Sequence, residues 1–137
     1  MSSISASRVA GRFDFGGVLI VPIEMNGIPT DFLFDPGAAV TAINQKFAEY
    51  FGVRIDPARQ MKITAASEER VDTFLSTAEE IRVGSVTRKN LPLSIIKFPP
   101  DFDLHGLIGM NFLKGLRFTV EMDTGTLILR EPPKSKK

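Results

Sequence analysis

At 137 residues, with 43% hydrophobic and 24% charged side chains, the chain has the size and composition of one globular domain, not of a disordered or fibrous polymer. Its 17 basic and 16 acidic residues, net +1, give no electrostatic case for nucleic acid or an anionic membrane, and the lack of cysteine excludes a disulfide framework, a thiolate zinc site and a cysteine nucleophile. A single histidine, His105, excludes a multi-histidine metal site, so carboxylates are the main carriers of chemistry left.

Residues 1–12 are serine-rich without periodicity and read as a flexible arm; residues 131–137, "EPPKSKK", read as a polar tail that frays. The body between them, residues 13–130, reads as one domain built mostly of strands. Residues 18–25 are apolar and rich in β-formers, and Asn26-Gly27 separates them from a second run at 28–34. That dipeptide suits the type I′ turn of a hairpin, which needs positive φ at both central positions. The end of the second run, Phe32-Leu33-Phe34, is apolar on both faces, as in a strand buried on both sides. A helix of about two turns is expected over 44–51, with Asn44 as N-cap, Phe47 and Phe51 one turn apart, and Gly52 at the exit. Strands are expected at 61–65, 71–77, 80–83 and 91–96, with 67–70 as a polar hairpin tip and Gly84-Ser85 as a turn. A proline-stiffened loop, "KFPPDFD", leads to an apolar triplet and short helix over 106–113. A last hairpin, 118–122 and 126–129, turns at Asp123-Thr124-Gly125. Many short strands with one or two short helices predict a mainly β barrel or sandwich. No apolar run approaches the ~18 residues of a membrane span and residues 1–11 are too polar for a signal peptide, so the expectation is a cytoplasmic protein with no membrane segment.

The segment "FLFDPGAAVTAI", residues 32–43, carries the most chemical information. Asp35 follows three large apolar residues and precedes a glycine and two alanines too small to cover it. Burying a carboxylate at the end of an apolar strand costs several kcal/mol unless hydrogen bonds or a shared proton compensate. The plain alternative is a surface turn at Asp35-Pro36-Gly37, with the aspartate accepting local backbone hydrogen bonds.

A second segment, Leu107-Ile108-Gly109 followed by Met110-Asn111-Phe112-Leu113, changes the balance. Together with Leu33-Phe34-Asp35-Pro36-Gly37-Ala38, it resembles the retropepsin-like aspartic proteases. Members show two apolar residues before Asp-Thr-Gly-Ala/Ser and, some seventy residues later, two apolar residues and a glycine leading into a helical turn. The likeness extends over residues 17–129. It implies a retropepsin-like half-barrel that dimerises, with Asp35 of each copy forming the catalytic pair. Gly37 would present backbone N–H groups to the carboxylates, while Ala38 and Ala39 leave room around them. Two carboxylates close together cannot both ionise and share one proton; the ionised member activates a water while the protonated one hydrogen-bonds the scissile carbonyl. Such chemistry needs no metal or cofactor. A chain of 137 residues cannot hold two lobes, so the second carboxylate comes from a second copy across a twofold axis.

Asp123-Thr124-Gly125 spells the family triplet more literally than residues 35–37 do. No alanine-rich loop and no later apolar-apolar-glycine follow it, and it reads as a turn. Two features depart from the family. Pro36 replaces a threonine or serine whose hydroxyl bonds across the dimer axis; proline offers neither hydroxyl nor N–H. The expected flap, residues 62–74, contains no glycine. His105 reads as an exposed or capping residue rather than a proton carrier, and Asp101 and Asp103 are too few for a calcium loop. The 11 phenylalanines read as core rather than a base-stacking platform. The function expected is an aspartic endopeptidase acting on peptide or protein substrates as a homodimer. The alternative is an impaired relative that binds such segments without cleaving them. Relatives are often tethered to membranes, so an excised domain remains open beside a free cytoplasmic protein.

Overall fold

The computed structural model describes residues 5–64, 70–101 and 103–133. In chain order they form β1 (Ser5–Ala10), β2 (Arg12–Asp14), β3 (Val18–Met25), β4 (Ile28–Phe34), β5 (Ala42–Asn44), β6 (Gln60–Thr64), β7 (Arg70–Val83), β8 (Val86–Ile96), β9 (Gly106–Ile108), α1 (Met110–Leu113), β10 (Arg117–Glu121) and β11 (Thr126–Glu131). The fold is mainly β. Six strands in the order β3-β4-β9-β5-β8-β7 close on themselves where Glu24 and Met25 of β3 pair with Arg82 and Ile81 of β7. β2 and β6 continue the sheet outside that ring, and β1, β11 and β10 form a second, antiparallel sheet. Val21, Met25, Phe32, Ile43, Ile95 and Ile108 are all fully buried in the core, each strand sending alternate side chains inward. Burying each such side chain favours the folded state by about 1.5–3 kcal/mol.

The local signals explain the elements they predict. Asn26 and Gly27 have φ of 49° and 80°, the pair of positive values that a type I′ hairpin requires. The Asn26 side chain adds a tertiary lock: its Oδ1 accepts from the Glu80 amide (3.1 Å) and its Nδ2 donates to the Phe51 carbonyl (3.0 Å). The register that follows, Ile20 opposite Leu33 and Val21 opposite Phe32, delivers Asp35 at the end of β4.

Three expectations are corrected. Residues 5–10, expected as part of a flexible arm, form β1 and pair with β11 from Ser5 opposite Glu131 to Ala10 opposite Thr126. The apolar β11, with Leu127, Ile128 and Leu129 buried, has its second edge satisfied this way, and Val9 is buried there. The two-turn helix at 44–51 is a single 3₁₀ turn, Gln45–Phe47, followed by turns. Asn44 does cap it, its side chain accepting from the Lys46 amide, but beyond it the amides of Ala48, Phe51 and Gly52 bond to the carbonyls of Gln45, Phe47 and Glu49, a series of turns and not a continuous helical ladder. The strands expected at 71–77 and 80–83 are one, β7, because Ala78 and Glu79 carry no turn chemistry and Ala78 is buried. Of the expected flap, β6 and the start of β7 pair from Gln60 opposite Phe74 to Thr64 opposite Arg70; its tip at residues 65–69 lies outside the described residues, as do 1–4 and 134–137.

Candidate active site

Asp35 stands where three strands meet. β9 lies between β4, to which it runs parallel (Phe34 opposite Ile108), and β5, to which it runs antiparallel (Ala42 opposite Leu107). The loop 35–41 therefore crosses over the end of β9 instead of turning directly into a neighbouring strand. Its first residue is fixed by the sheet: the Asp35 amide donates to the Ile108 carbonyl at 3.0 Å. The loop then turns on itself, Ala38 N–H donating to the Asp35 carbonyl (3.1 Å) and Gly37 N–H to Asp35 Oδ1 (3.1 Å). Asp35 is half-buried and has no ion-pair partner among the described residues, so its carboxylate meets a backbone donor and solvent rather than a cation. Pro36, also half-buried, supplies no donor at the next position.

The far end of the loop is held by a buried polar network. Thr41 is fully buried, and every polar atom it has is used. Its amide and its hydroxyl both donate to Asn111 Oδ1 at 2.8 Å, its Oγ1 accepts from the Gly109 amide at 3.0 Å, and its carbonyl accepts from the Ser94 amide at 2.9 Å. Asn111 Nδ2 donates onward to the Pro92 carbonyl at 2.7 Å, tying the loop to β8. The middle of the loop is gripped by the first turn of α1: Met110 N–H donates to the Ala38 carbonyl (2.8 Å) and Asn111 N–H to the Ala39 carbonyl (3.1 Å). Both bonds require the two backbones to nearly touch at Gly109, where a Cβ would lie 2.7 Å from the Val40 carbonyl carbon and 2.9 Å from the Ala38 oxygen. Only glycine allows that approach. Arg88 closes the far side of α1, donating to the Phe112 and Lys114 carbonyls (3.0 and 2.8 Å). A network of this kind, centred on the fully buried and satisfied Thr41, favours one conformation of the loop.

The two segments singled out in the sequence, 33–38 and 107–113, thus meet. Thr41 was not foreseen as part of the site; its signal is a lone hydroxyl at the entry of an apolar strand, with an amide side chain inside the otherwise apolar "MNFL". The other candidates lie elsewhere. Asp123-Thr124-Gly125 is the turn between β10 and β11, with Asp123 and Thr124 exposed and Gly125 buried, closed by the Gly125 and Thr124 amides on the Glu121 carbonyl (2.9 and 3.3 Å). Asp101 and Asp103 are exposed on the proline loop, and Asp103 is 3.5 Å from Lys46 Nζ. His105, expected as an exposed or capping residue, is not exposed. It is half-buried, with Nδ1 2.5 Å from Thr30 Oγ1 and its ring 4.3 Å from that of Phe47.

A strand–loop–strand crossing with an aspartate at its head and an apolar-apolar-glycine turn beneath defines a class, the aspartic proteases. The profile of the aspartyl protease family matches residues 21–112, more than half of the chain, and the chain belongs to that family. Its fold is retropepsin-like. A retropepsin-like aspartic protease from Rickettsia conorii superposes with a TM-score of 0.64 at 21% identity, covering 96% of both chains. The protease of EIAV, solved with the inhibitor HBY-793, gives 0.58 at 16% identity over 75% of this chain and 91% of its own. The retroviral protease-like domain of Ddi1 from Leishmania major gives 0.56 at 18% over 83% and 92%. No curated protein matches the chain in sequence.

Proposed function

We propose that the chain is an aspartic endopeptidase that works as a homodimer, with Asp35 of each copy forming the catalytic pair. The observation that carries this reading is the state of Asp35: at the head of a loop anchored through Ala38, Ala39 and Thr41, half-buried, and without a cation beside it among the described residues. One carboxylate cannot both accept a proton from water and donate one to a carbonyl, so a second must face it. In the pair, the ionised Asp35 takes a proton from a bound water. The water oxygen bonds to the scissile carbon as the protonated Asp35 gives its proton to the carbonyl oxygen. The resulting diol collapses when the Asp35 that took the water proton gives it to the leaving nitrogen and the other, now ionised, Asp35 takes a proton from a diol hydroxyl; the C–N bond breaks and the pair returns to its starting protonation. Gly37 N–H, on Asp35 Oδ1, holds the carboxylate plane during both transfers.

Incubation of the purified protein with an unstructured protein at about pH 4–7, the range in which carboxylate pairs of this kind work, should yield fragments. Asp35→Asn should reduce cleavage by about a thousandfold or more while leaving the folded chain's circular dichroism unchanged. Cleavage that survives the substitution overturns the reading. A second reading, a dimer that binds extended segments without cutting them, is favoured by Pro36, which removes a hydroxyl and an N–H from the loop. Under it the wild type yields no fragments and the same unstructured protein is retained intact.

A further inference from the structure

Arg88, on β8, points its charge at backbone rather than at an acid. It is half-buried, its guanidinium lies 5.7 Å from the centroid of the fully buried Phe112 ring, and no carboxylate pairs with it among the described residues. Its Nε donates to the Phe112 carbonyl at 3.0 Å and its Nη2 to the Lys114 carbonyl at 2.8 Å. Both carbonyls stand at the end of α1, where a helix leaves its acceptors without partners of its own. The four residues of α1 cannot hold a helix by themselves, because a first turn costs more backbone entropy than its hydrogen bonds offset. Burial of Phe112 and Leu113 anchors α1 but sets no direction, since apolar contact is non-directional. Its orientation is therefore imposed from outside. β8 supplies two holds, Arg88 at the far end and, at the near end, the Pro92 carbonyl, which accepts from Asn111 Nδ2 at 2.7 Å.

We propose that Arg88 is a positioning residue for Asp35, acting through α1. The inference rests on the Asp35 reading above and adds to it a residue that never touches substrate. The path is continuous. Arg88 holds the carbonyls at one end of α1. At the other end the Met110 and Asn111 amides hold the Ala38 and Ala39 carbonyls at 2.8 and 3.1 Å. The Ala38 and Gly37 amides then close the loop on the Asp35 carbonyl and on Oδ1, each at 3.1 Å. A rotation of α1 about its buried side chains would carry its two amides away from the loop, and with them the turn that orients the carboxylate. The loop depends on this outside hold because Pro36 has no N–H, which leaves Gly37 as the carboxylate's one backbone donor among the described residues. Arginine suits the task and lysine does not: a planar guanidinium reaches both carbonyls from one position, whereas an ammonium is a point charge.

The test compares the wild type with Arg88→Met, which keeps a stem over Phe112 and removes the donors, and Arg88→Lys, which keeps a charge without the fork. The control is Lys89→Met, at the exposed neighbouring position on β8. Amide NMR signals and hydrogen-exchange rates are read at Gly37, Met110 and Asn111, and kcat and KM for cleavage of one unstructured protein. In Arg88→Met, exchange at Met110 and Asn111 should quicken about tenfold and the Gly37 signal should move, with a smaller effect in Arg88→Lys and none in the control. The same variant should lose about tenfold in kcat with KM nearly unchanged, the mark of lost orientation rather than lost binding. A folded variant whose Gly37 signal stays in place overturns the inference, even where urea unfolding shows lower stability, because Arg88 would then be merely structural. A moved Gly37 signal with kcat intact overturns it too. Arg88→Lys carries the comparison if Arg88→Met does not fold. A wild type that yields no fragments removes the endopeptidase reading alone: a moved Gly37 signal still places Arg88 behind the Asp35 loop, and an unmoved one overturns this inference as well.

Discussion

Two segments of this chain have the form Asp-x-Gly, and they behave oppositely. Asp123-Thr124-Gly125 has the residue between that the family uses, yet its Asp123 and Thr124 are exposed, and among the described residues the threonine hydroxyl meets only Thr126 Oγ1, at 2.7 Å. Asp35-Pro36-Gly37 lacks that residue, yet it leads a loop that the chain secures at both ends: the Ile108 carbonyl at one, and Thr41, Asn111 and Gly109 at the other. The three-letter motif therefore does not make the site. What distinguishes the two is the partner segment: residues 107–111 grip one loop through Ile108, Gly109, Met110 and Asn111, while the other turn meets Gly11, whose amide donates to the Gly125 carbonyl at 3.0 Å.

The largest expected difference between them is in activity. Asp35→Asn should abolish peptide cleavage, and Asp123→Asn, in the same assay, should leave it within about twofold, as for an ordinary surface substitution. Equal losses in both variants would break the contrast. Stability should separate the two regions next. Gly109→Ala drives a methyl into the Val40 and Thr41 backbones, neither of which is free to move, and should lower unfolding free energy by about 3 kcal/mol or prevent folding. Thr41→Val removes a fully buried hydroxyl and strands the Gly109 amide, at about 1–3 kcal/mol. Thr124→Val, on the exposed turn, should fall within about 0.5 kcal/mol of wild type. Urea unfolding of the three variants measures all of these.

The same contrast explains what could be read from the sequence. The hairpin at Asn26-Gly27 and the apolar β4 were legible because each rests on local chemistry, a backbone conformation and a run of apolar residues; the link between 33–38 and 107–113 came from the resemblance to a family, not from either segment alone. β1 was not legible, because "SASRVA" holds a single large apolar residue, Val9, and becomes a strand where β11 offers an edge. The role of Thr41 was hidden for a similar reason. Its partners lie 68 and 70 residues away, at Gly109 and Asn111, and no local pattern announces them. His105 was misjudged because Thr30, Phe47 and Phe51, which surround it, come from separate parts of the chain.

Pro36 offers the smallest and sharpest test, since it is the one place where the securely held loop is chemically poorer than the exposed turn. Pro36→Thr gives the loop the hydroxyl it lacks. If the two loops face each other in a dimer, each gains a hydrogen-bonding group at the seam, about 1 kcal/mol per bond, and dimer affinity should rise about five- to thirtyfold. The gain is opposed by the conformational freedom that threonine restores to the unfolded chain, about 0.4–1 kcal/mol, so monomer stability should fall slightly while association strengthens. Those opposite signs identify the effect as one on the interface rather than on the fold. Ultracentrifugation and urea unfolding of the same variant read the two quantities separately. Both falling together would mean that residue 36 never meets its mate.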